Sequence, residues 1–254
     1  MTRIMAGGEP FYFPGGRSGC LVIHGFTASP QEVYGLGQHL AADGHTVLGP
    51  RLFGHATDIR HMRRARWRDW LFSVQDGYHM LRSQVDRIYL VGLSLGASLA
   101  LILASQEEVD GVVAMSTPFE LPIAGALRLL HPVLRPVSLI LPQVAKGPLS
   151  FQNETANQER VDYRARPLRA VVEVEAAFLH MQQCLAGVSA PTLLMHSRTD
   201  DFVPPNSMEK IFAALGTSEK KMHWIDESDH VVTVDLAWEE VFDTASAFIT
   251  HLNP

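Results

Sequence analysis

The sequence predicts an α/β fold with a mostly parallel central sheet, helices on both faces and an inserted cap. Short, uniformly apolar segments alternate with segments of helical spacing, which is typical of strands buried on both faces. One such segment runs directly into a Gly-x-Ser-x-Gly turn at residues 92–96 and then into a helix. After residue 117 this alternation stops and prolines accumulate. The length of 254 residues accommodates one domain with an insertion, or two small domains.

The individual elements follow from apolar spacing and from the glycines and prolines that end each segment. Phe11-Tyr12-Phe13 is expected to add an antiparallel edge strand. Strands are predicted at residues 19–23, 46–50, 87–91, 112–115, 192–196 and 221–225, and helices at 31–43, 67–84, 169–185 and 236–252.

Residues 118–187 are predicted to form the cap, because no strand of the main sheet is evident there. The core then consists of residues 1–117 and 188–254. An insertion after the strand that follows the serine turn would lie above the carboxyl edge of the sheet. Most apolar cap side chains are expected to pack on the core, and some to line an apolar pocket. They are Phe119, Leu121, Ile123, Leu127, Leu129, Leu130, Leu134, Leu139, Ile140 and Leu141.

Composition excludes several classes of protein. The net charge of −6 argues against nucleic acid as the main partner. The arginine-rich run from Arg60 to Arg68 is predicted to be the solvated face of a short helix beginning near Trp67, with an anion-docking patch as the alternative. No segment has the apolar length of a signal peptide or a membrane span, so we expect no stable membrane insertion. Cys20 and Cys184 are expected to be free thiols, which favours a cytoplasmic location.

The turn at residues 92–96 predicts a nucleophile. A strained turn between strand and helix exposes the hydroxyl of Ser94 at the edge of the sheet, where a base and a substrate can reach it. The motif alone is weak evidence, and the surrounding strand and helix strengthen it. The alternative is an ordinary glycine-rich turn in which Ser94 is passive.

A serine nucleophile needs a base and an orienting acid, in the chain order Ser, Asp, His on this type of sheet. His230 follows the last predicted strand and precedes the final helix, where the base is expected. Asp200 and Asp201 both follow the preceding strand; spacing does not choose between them, and we predict Asp200 because of the Val203-Pro204-Pro205 turn after it. The acidic residues beside His230 are predicted to be solvated: Asp226, Glu227 and Asp229.

Negative charge that develops on a substrate carbonyl oxygen requires fixed N–H donors. The backbone N–H groups of Leu95 and Phe26 are predicted to supply an oxyanion hole, since one opens a helix and the other follows an early strand. His24 is expected to hold this second loop by a hydrogen bond. We predict no metal, because no cluster of His, Cys or Asp accompanies His24, and we expect no cofactor. Gly25, Phe26, Leu95 and Phe119 are expected to contact the substrate.

These stretches together resemble the α/β-hydrolases, and most closely the small carboxylesterases and monoacylglycerol lipases of bacilli. The resemblance is carried by residues 24–27, 92–96, 200–205 and 228–235, which span almost the whole core. It implies Ser94 as nucleophile, Asp200 as acid, His230 as base, and Phe26 and Leu95 as oxyanion donors. It also implies hydrolysis of short- to medium-chain esters or monoglycerides.

The sequence therefore predicts a serine carboxylic ester hydrolase that acts on small-molecule esters, as a monomer or weak homodimer. A thioesterase, a C–C bond hydrolase or a peptidase would use the same three side chains. A non-catalytic receptor of this fold, or a scaffold protein that uses the basic run, are alternatives of a different class.

Overall fold

A seven-stranded sheet organises the protein. The computed structural model describes residues 3–121, 143–145 and 152–253. The strand order is β1-β3-β2-β4-β5-β8-β9; β1 is antiparallel to β3, and all other neighbours are parallel. These strands are β1 (Phe11–Phe13), β2 (Ser18–Ile23), β3 (Thr46–Gly49), β4 (Arg87–Leu93), β5 (Gly111–Met115), β8 (Thr192–Ser197) and β9 (Lys220–Ile225). A separate two-stranded antiparallel sheet pairs β6 (Gln143–Ala145) with β7 (Ala165–Pro167).

Helices connect the strands and cover both faces of the large sheet. The described helices are α1 (Tyr34–Ala42), α2 (Ile59–Met62), α3 (Trp67–Arg82), α4 (Leu95–Ala104), α5 (Glu154–Gln158), α6 (Leu168–Cys184), α7 (Asn206–Ala214) and α8 (Trp238–Leu252). Among them, none combines the length and the apolar character that a membrane span requires.

The alternation of side chains along β2 shows how the two layers form. Leu21 and Ile23 point into a core shared with α3, α4 and α6, whereas Cys20 and Val22 point into a core shared with α1 and α8. Because neighbouring residues of a strand face opposite sides of the sheet, a strand between two helical layers must be apolar throughout. This is the reason that the predicted strands lacked polar alternation.

Helix α4 begins directly behind Ser94 and is buried along its whole length. Helix α6, which lies in the predicted cap, contributes Ala170, Val174 and Phe178 to the same core. The backbone that carries Ser94 is therefore packed from several sides. The division of the chain into core and cap remains a prediction.

The structure agrees with the predicted element types and shifts some of their ends. The helix predicted at 31–43 opens as a short 3₁₀ turn, Pro30–Val33, before α1. The basic run spans α2 and the start of α3 instead of one short helix, with Arg60, Arg64, Arg66 and Arg68 exposed.

Candidate active site

The turn between β4 and α4 is strained at its apex. Ser94 has φ 55° and ψ −116°, a left-handed conformation that is costly for a residue with a side chain. A Cβ on Gly92 would lie 2.5 Å from the backbone of Gly96 and Ala97, and one on Gly96 would collide with the carbonyl of Ile23. The two glycines therefore allow helix and strand to approach closely enough to form the turn, which the backbone N–H of Ser94 secures by donating to Met115 O at 2.8 Å.

Three side chains that are distant in sequence meet at the carboxyl edge of the sheet. His230 Nε2 lies 3.0 Å from Ser94 Oγ, and His230 Nδ1 lies 2.8 Å from Asp200 Oδ2. With a proton on Nδ1, the imidazole donates to the carboxylate and accepts from the serine hydroxyl. All three residues are buried, although the serine and the histidine each border a cavity. The arrangement can move a proton from the serine hydroxyl to the imidazole.

Asp200, and not its neighbour Asp201, contacts the imidazole of His230. Its Oδ1 accepts from the backbone N–H groups of Phe202 and Val203 at 2.9 and 2.8 Å, which binds it to the turn that precedes α7. Burial alone would raise the pKa of Asp200, but the charge of His230 and hydrogen bonds from His196 and His230 outweigh it and hold that pKa well below its ordinary value. Asp201 is exposed.

A second histidine, which the sequence analysis did not single out, contacts the same carboxylate. His196 Nε2 lies 3.2 Å from Asp200 Oδ2 and 3.2 Å from Val203 O, so this nitrogen carries a proton and donates to both acceptors. His196 is fully buried at the end of β8. Its position four residues before Asp200, at the end of a predicted strand, was the signal available in the sequence.

The prediction that Asp229 is solvated was wrong. Asp229 is only 8% exposed, because its backbone N–H donates to Asp235 Oδ2 at 2.7 Å and folds the loop inward. Burial, together with the nearby carboxylates of Asp201, Asp235 and Asp200, raises the pKa of Asp229. Asp226 and Glu227 are exposed, as expected.

The loop after β2 is fixed by buried side chains. His24 Nδ1 lies 2.9 Å from Gly25 O, and the N–H of Leu52 donates to His24 Nε2 at 3.1 Å, which gives His24 the structural role expected for it. The N–H of Gly25 donates to Glu32 Oε1, a contact absent from the sequence analysis. Phe26 follows at the edge of the cavity beside Ser94, and Leu95 is the first residue of α4. The proposed N–H donors thus come from two rigid backbone segments.

Two cavities meet at Ser94. The smaller, of about 40 Å³, is lined by Gly25, Phe26 and His230 together with the charged side chains of Glu32, Arg160 and Arg166. The larger, of about 370 Å³, is mainly apolar. Its walls are Phe26, Ser94, Pro118, Leu121, Val144, Arg166, Leu168, Val171, Val174, Phe178 and Phe202.

Only two of the four residues predicted to contact the substrate line these cavities. Gly25 lines the smaller cavity and Phe26 lines both, whereas neither Leu95 nor Phe119 lines either of them. Phe119 instead packs against the core, and its carbonyl accepts from Gln182 at 2.6 Å. The remaining apolar cap residues of the predicted set, from Ile123 to Leu141, lie outside the described residues. In the part of the chain that the structure covers, no group of three or more His, Cys, Asp or Glu side chains is arranged to hold a metal ion.

A segment of the predicted cap is bound directly to the loop after β2. Arg160 forms an ion pair with Glu32 at 3.5 Å, and the N–H of Val161 donates to Gln31 Oε1 at 2.7 Å. The N–H of Tyr163 donates to Thr27 O at 3.0 Å, and its hydroxyl donates to Gly54 O at 2.9 Å. These contacts place the charged wall of the smaller cavity next to the proposed oxyanion donors.

The chain is similar to known proteins over most of its length. The model of the family described as "Serine aminopeptidase, S33" matches residues 16–237. The chain belongs to this family. It is 30% identical over 234 residues to a thermostable monoacylglycerol lipase of a Bacillus species, covering 91% of this chain and 90% of the relative. It is 26% identical over 249 residues to a carboxylesterase of Bacillus subtilis, covering 96% and 97% of the two chains.

The fold of this chain is also found among solved structures. One, from work on two metagenome-derived lipolytic enzymes named LipS and LipT, superposes with a TM-score of 0.88 at 29% identity, covering 98% of this chain and 100% of that chain. The resemblance to α/β-hydrolases of the bacillar carboxylesterase and monoacylglycerol lipase type is thereby confirmed, as is the predicted fold class.

Proposed function

We propose that this protein hydrolyses carboxylic esters of short- to medium-chain acids, including monoacylglycerols, through an acyl-enzyme on Ser94. The coarser class is supported independently of the site: the family, both curated relatives and the similar lipolytic structure indicate a serine ester hydrolase of the α/β-hydrolase fold. The observation that carries the finer proposal is the continuous hydrogen-bonded chain from Ser94 through His230 to Asp200.

In the proposed mechanism, Ser94 Oγ attacks the ester carbonyl carbon while its proton passes to His230 Nε2. The carbonyl oxygen becomes an oxyanion that the N–H groups of Phe26 and Leu95 stabilise. His230 then gives the proton to the leaving alkoxide, which departs as the alcohol. Water hydrolyses the acyl-enzyme by the same steps, and Asp200 stays ionised, because its pKa is held low, to stabilise the imidazolium.

The two cavities suggest how the substrate is oriented. The larger, apolar cavity suits an acyl chain, because burial of hydrocarbon stabilises binding in proportion to the area removed from water. The smaller cavity has three charged side chains and suits a polar alcohol. An ester of this kind would cross Ser94, where the cavities meet.

Peptidase activity is the alternative that the family description favours. An aminopeptidase must bind the ammonium group of a peptide N-terminus, for which carboxylates close to the nucleophile are the ordinary partners. The smaller cavity contains two arginines and one glutamate, and Arg160 already pairs with that glutamate. This charge pattern disfavours a cation, so we place ester hydrolysis first.

The decisive experiment measures hydrolysis of p-nitrophenyl esters from two to twelve carbons, of monoacylglycerols and of aminoacyl p-nitroanilides. We expect a maximum at short to medium acyl length, loss of activity and of fluorophosphonate labelling in Ser94→Ala, and no change in Ser83→Ala at the end of α3. Negligible ester hydrolysis at every length would overturn the proposal, and faster cleavage of the anilides would favour the peptidase.

We further propose that the enzyme works in the cytoplasm as a monomer or weak homodimer, without a cofactor. The two unpaired cysteines support the location. Light scattering over a range of protein concentrations tests the oligomeric state, and a stable tetramer would contradict it.

A further inference from the structure

The charge of the smaller cavity is not explained by a neutral alcohol. Three charged side chains line it: Glu32, Arg160 and Arg166. Arg160 lies 3.5 Å from Glu32 and 3.6 Å from Asp162, so its positive charge already faces two carboxylates. None of the ion pairs formed between described residues involves Arg166. The cavity therefore contains a guanidinium whose charge the described carboxylates do not neutralise at contact distance.

Arg166 lies at the point where the substrate must pass. It is the central residue of β7, and it lines both the smaller and the larger cavity. Its guanidinium carbon lies 4.7 Å from the ring centre of Phe202, and that ring is 5.0 Å from the ring of His230. Arg166 and the proposed catalytic imidazole thus both contact the ring of Phe202.

This placement is unfavourable for the free protein. Burial lowers the pKa of Arg166, which means that the surrounding protein solvates the cation less well than water does. Asp162 attracts the guanidinium only from a longer distance, and the face of Phe202 compensates part of the lost hydration. An anionic oxygen in the cavity would restore that lost stabilisation, because guanidinium pairs with carboxylate and phosphate through two parallel hydrogen bonds.

We propose that Arg166 binds an anionic group, a phosphate monoester or a carboxylate, on the alcohol part of the ester. This inference rests on the proposed ester hydrolysis and narrows its substrate class to acyl esters of an anionic alcohol. The acyl chain occupies the larger cavity, the scissile carbonyl lies at Ser94, and the anion lies in the smaller cavity against Arg166. Arg160 pairs with Glu32 and Asp162, whereas Arg166 forms no ion pair with a described residue and keeps its hydrogen-bond donors available for recognition.

A purely structural role predicts a different response. If Arg166 serves only to cover Phe202, its removal would disturb Phe202 and His230 and slow every substrate by the same factor. If it binds an anion, its removal slows the anionic ester alone. A pair of substrates that differ only in the anionic group separates these two roles.

The test compares 1-decanoylglycerol with 1-decanoylglycerol 3-phosphate, both below the concentrations at which they aggregate. In the wild type, kcat/KM is expected to be higher for the phosphorylated ester. In Arg166→Gln, the ratio of the two kcat/KM values should fall by about 10- to 100-fold, while the neutral ester changes by less than about threefold. Arg166→Lys should keep part of the preference. Arg164→Gln, an exposed arginine two residues earlier, is the matched control and should leave the ratio unchanged.

Inhibition offers a readout that does not depend on turnover of these lipids. Glycerol 3-phosphate should inhibit hydrolysis of a neutral p-nitrophenyl ester more strongly than glycerol does, and Arg166→Gln should abolish the difference.

The outcomes distinguish the two levels of the argument. An unchanged substrate ratio in Arg166→Gln, or an equal loss on both substrates, would overturn this inference while ester hydrolysis stands. If the wild type hydrolyses no ester at all, the proposed function fails and the inference fails with it.

Discussion

Acid should destabilise this protein through His24, a histidine that supports the loop after β2. His24 is fully buried and must be neutral, because its Nε2 accepts from the N–H of Leu52 while its Nδ1–H donates to Gly25 O. Burial lowers the pKa of His24 from 6.5 to about 4, against the raising effect of the Gly25 hydrogen bond and with a further lowering by Arg51. The unfolded chain therefore binds a proton in a pH range in which the folded protein does not.

The sign and the size of the effect follow from this difference. His24 contributes its full stability above pH 6.5, and that contribution is lost progressively as the pH falls from 6.5 towards 4. Between pH 7 and pH 5, the free energy of unfolding should fall by about 2 kcal/mol from this residue alone. His55, which packs edge to face against His24 and whose pKa is also well below its ordinary value, adds to the loss.

Urea unfolding at pH 7 and pH 5 measures the effect in the wild type, in His24→Gln and in the control His251→Gln, an exposed residue on α8. The loss of stability between the two pH values should be about 2 kcal/mol smaller in His24→Gln and unchanged in the control. An equal loss in all three proteins would refute the reasoning. The imidazole resonances of His24 provide a second measure, and titration near pH 6.5 in the folded wild type would refute it as well.

Three further predictions concern a hydrogen bond at the site, the turn at Ser94 and the reactivity of the two cysteines. The variant His196→Leu should lower kcat about fivefold at unchanged KM, because the His196 N–H divides its hydrogen bonding between Asp200 and Val203 O and the bond to the carboxylate is then worth about 1 kcal/mol. His196→Gln keeps an N–H and should retain most activity. An equal fall of kcat in both variants would contradict this role of His196. Gly96→Ala should lose more than about 3 kcal/mol of stability, because the added Cβ would collide with Ile23 O. In the control Gly187→Ala the added Cβ would lie 3.6 Å from Ser105 Cβ, an ordinary contact, so its melting temperature should stay within a few degrees of the wild-type value. Cys20, whose pKa is raised by burial, should resist a thiol reagent in the folded protein while half-buried Cys184 reacts, and two equally fast thiols would disprove this.

The central part of the fold was predictable because each element depends on local patterns that the structure keeps. The strand ahead of Ser94, the glycines at 92 and 96 and the buried helix behind them form one continuous sequence signal. The element ends were less predictable, since Pro30 opens a 3₁₀ turn before α1. Such ends depend on hydrogen bonds that apolar spacing does not encode.

The site likewise has residues that the sequence could predict and a choice that it could not. Ser94 and His230 follow from position in a repeating βα pattern, and the structure brings them within 3.0 Å. Spacing could not choose between Asp200 and Asp201, because that choice depends on which carboxylate turns towards the backbone of Phe202 and Val203.

Two other features could not be predicted from the sequence, because each depends on a specific side-chain contact. The burial of Asp229 depends on a hydrogen bond to Asp235, and the ion pair of Glu32 with Arg160 joins residues 128 positions apart. The first contact lies within one loop and the second joins distant segments, and neither leaves a periodic trace in a single sequence.

The anchorage of residues 160–163 on the loop after β2 constrains how specificity can change in this enzyme. Tyr163 and Arg160 hold the same short stretch of backbone that is proposed to polarise the carbonyl. A mutation there that reshapes the proposed alcohol subsite should also displace the backbone N–H group of Phe26 that is proposed to stabilise the oxyanion. Selection for a new leaving group at this wall should therefore lower the turnover rate, whereas Val171, on the apolar wall of the larger cavity, makes none of these contacts to the loop.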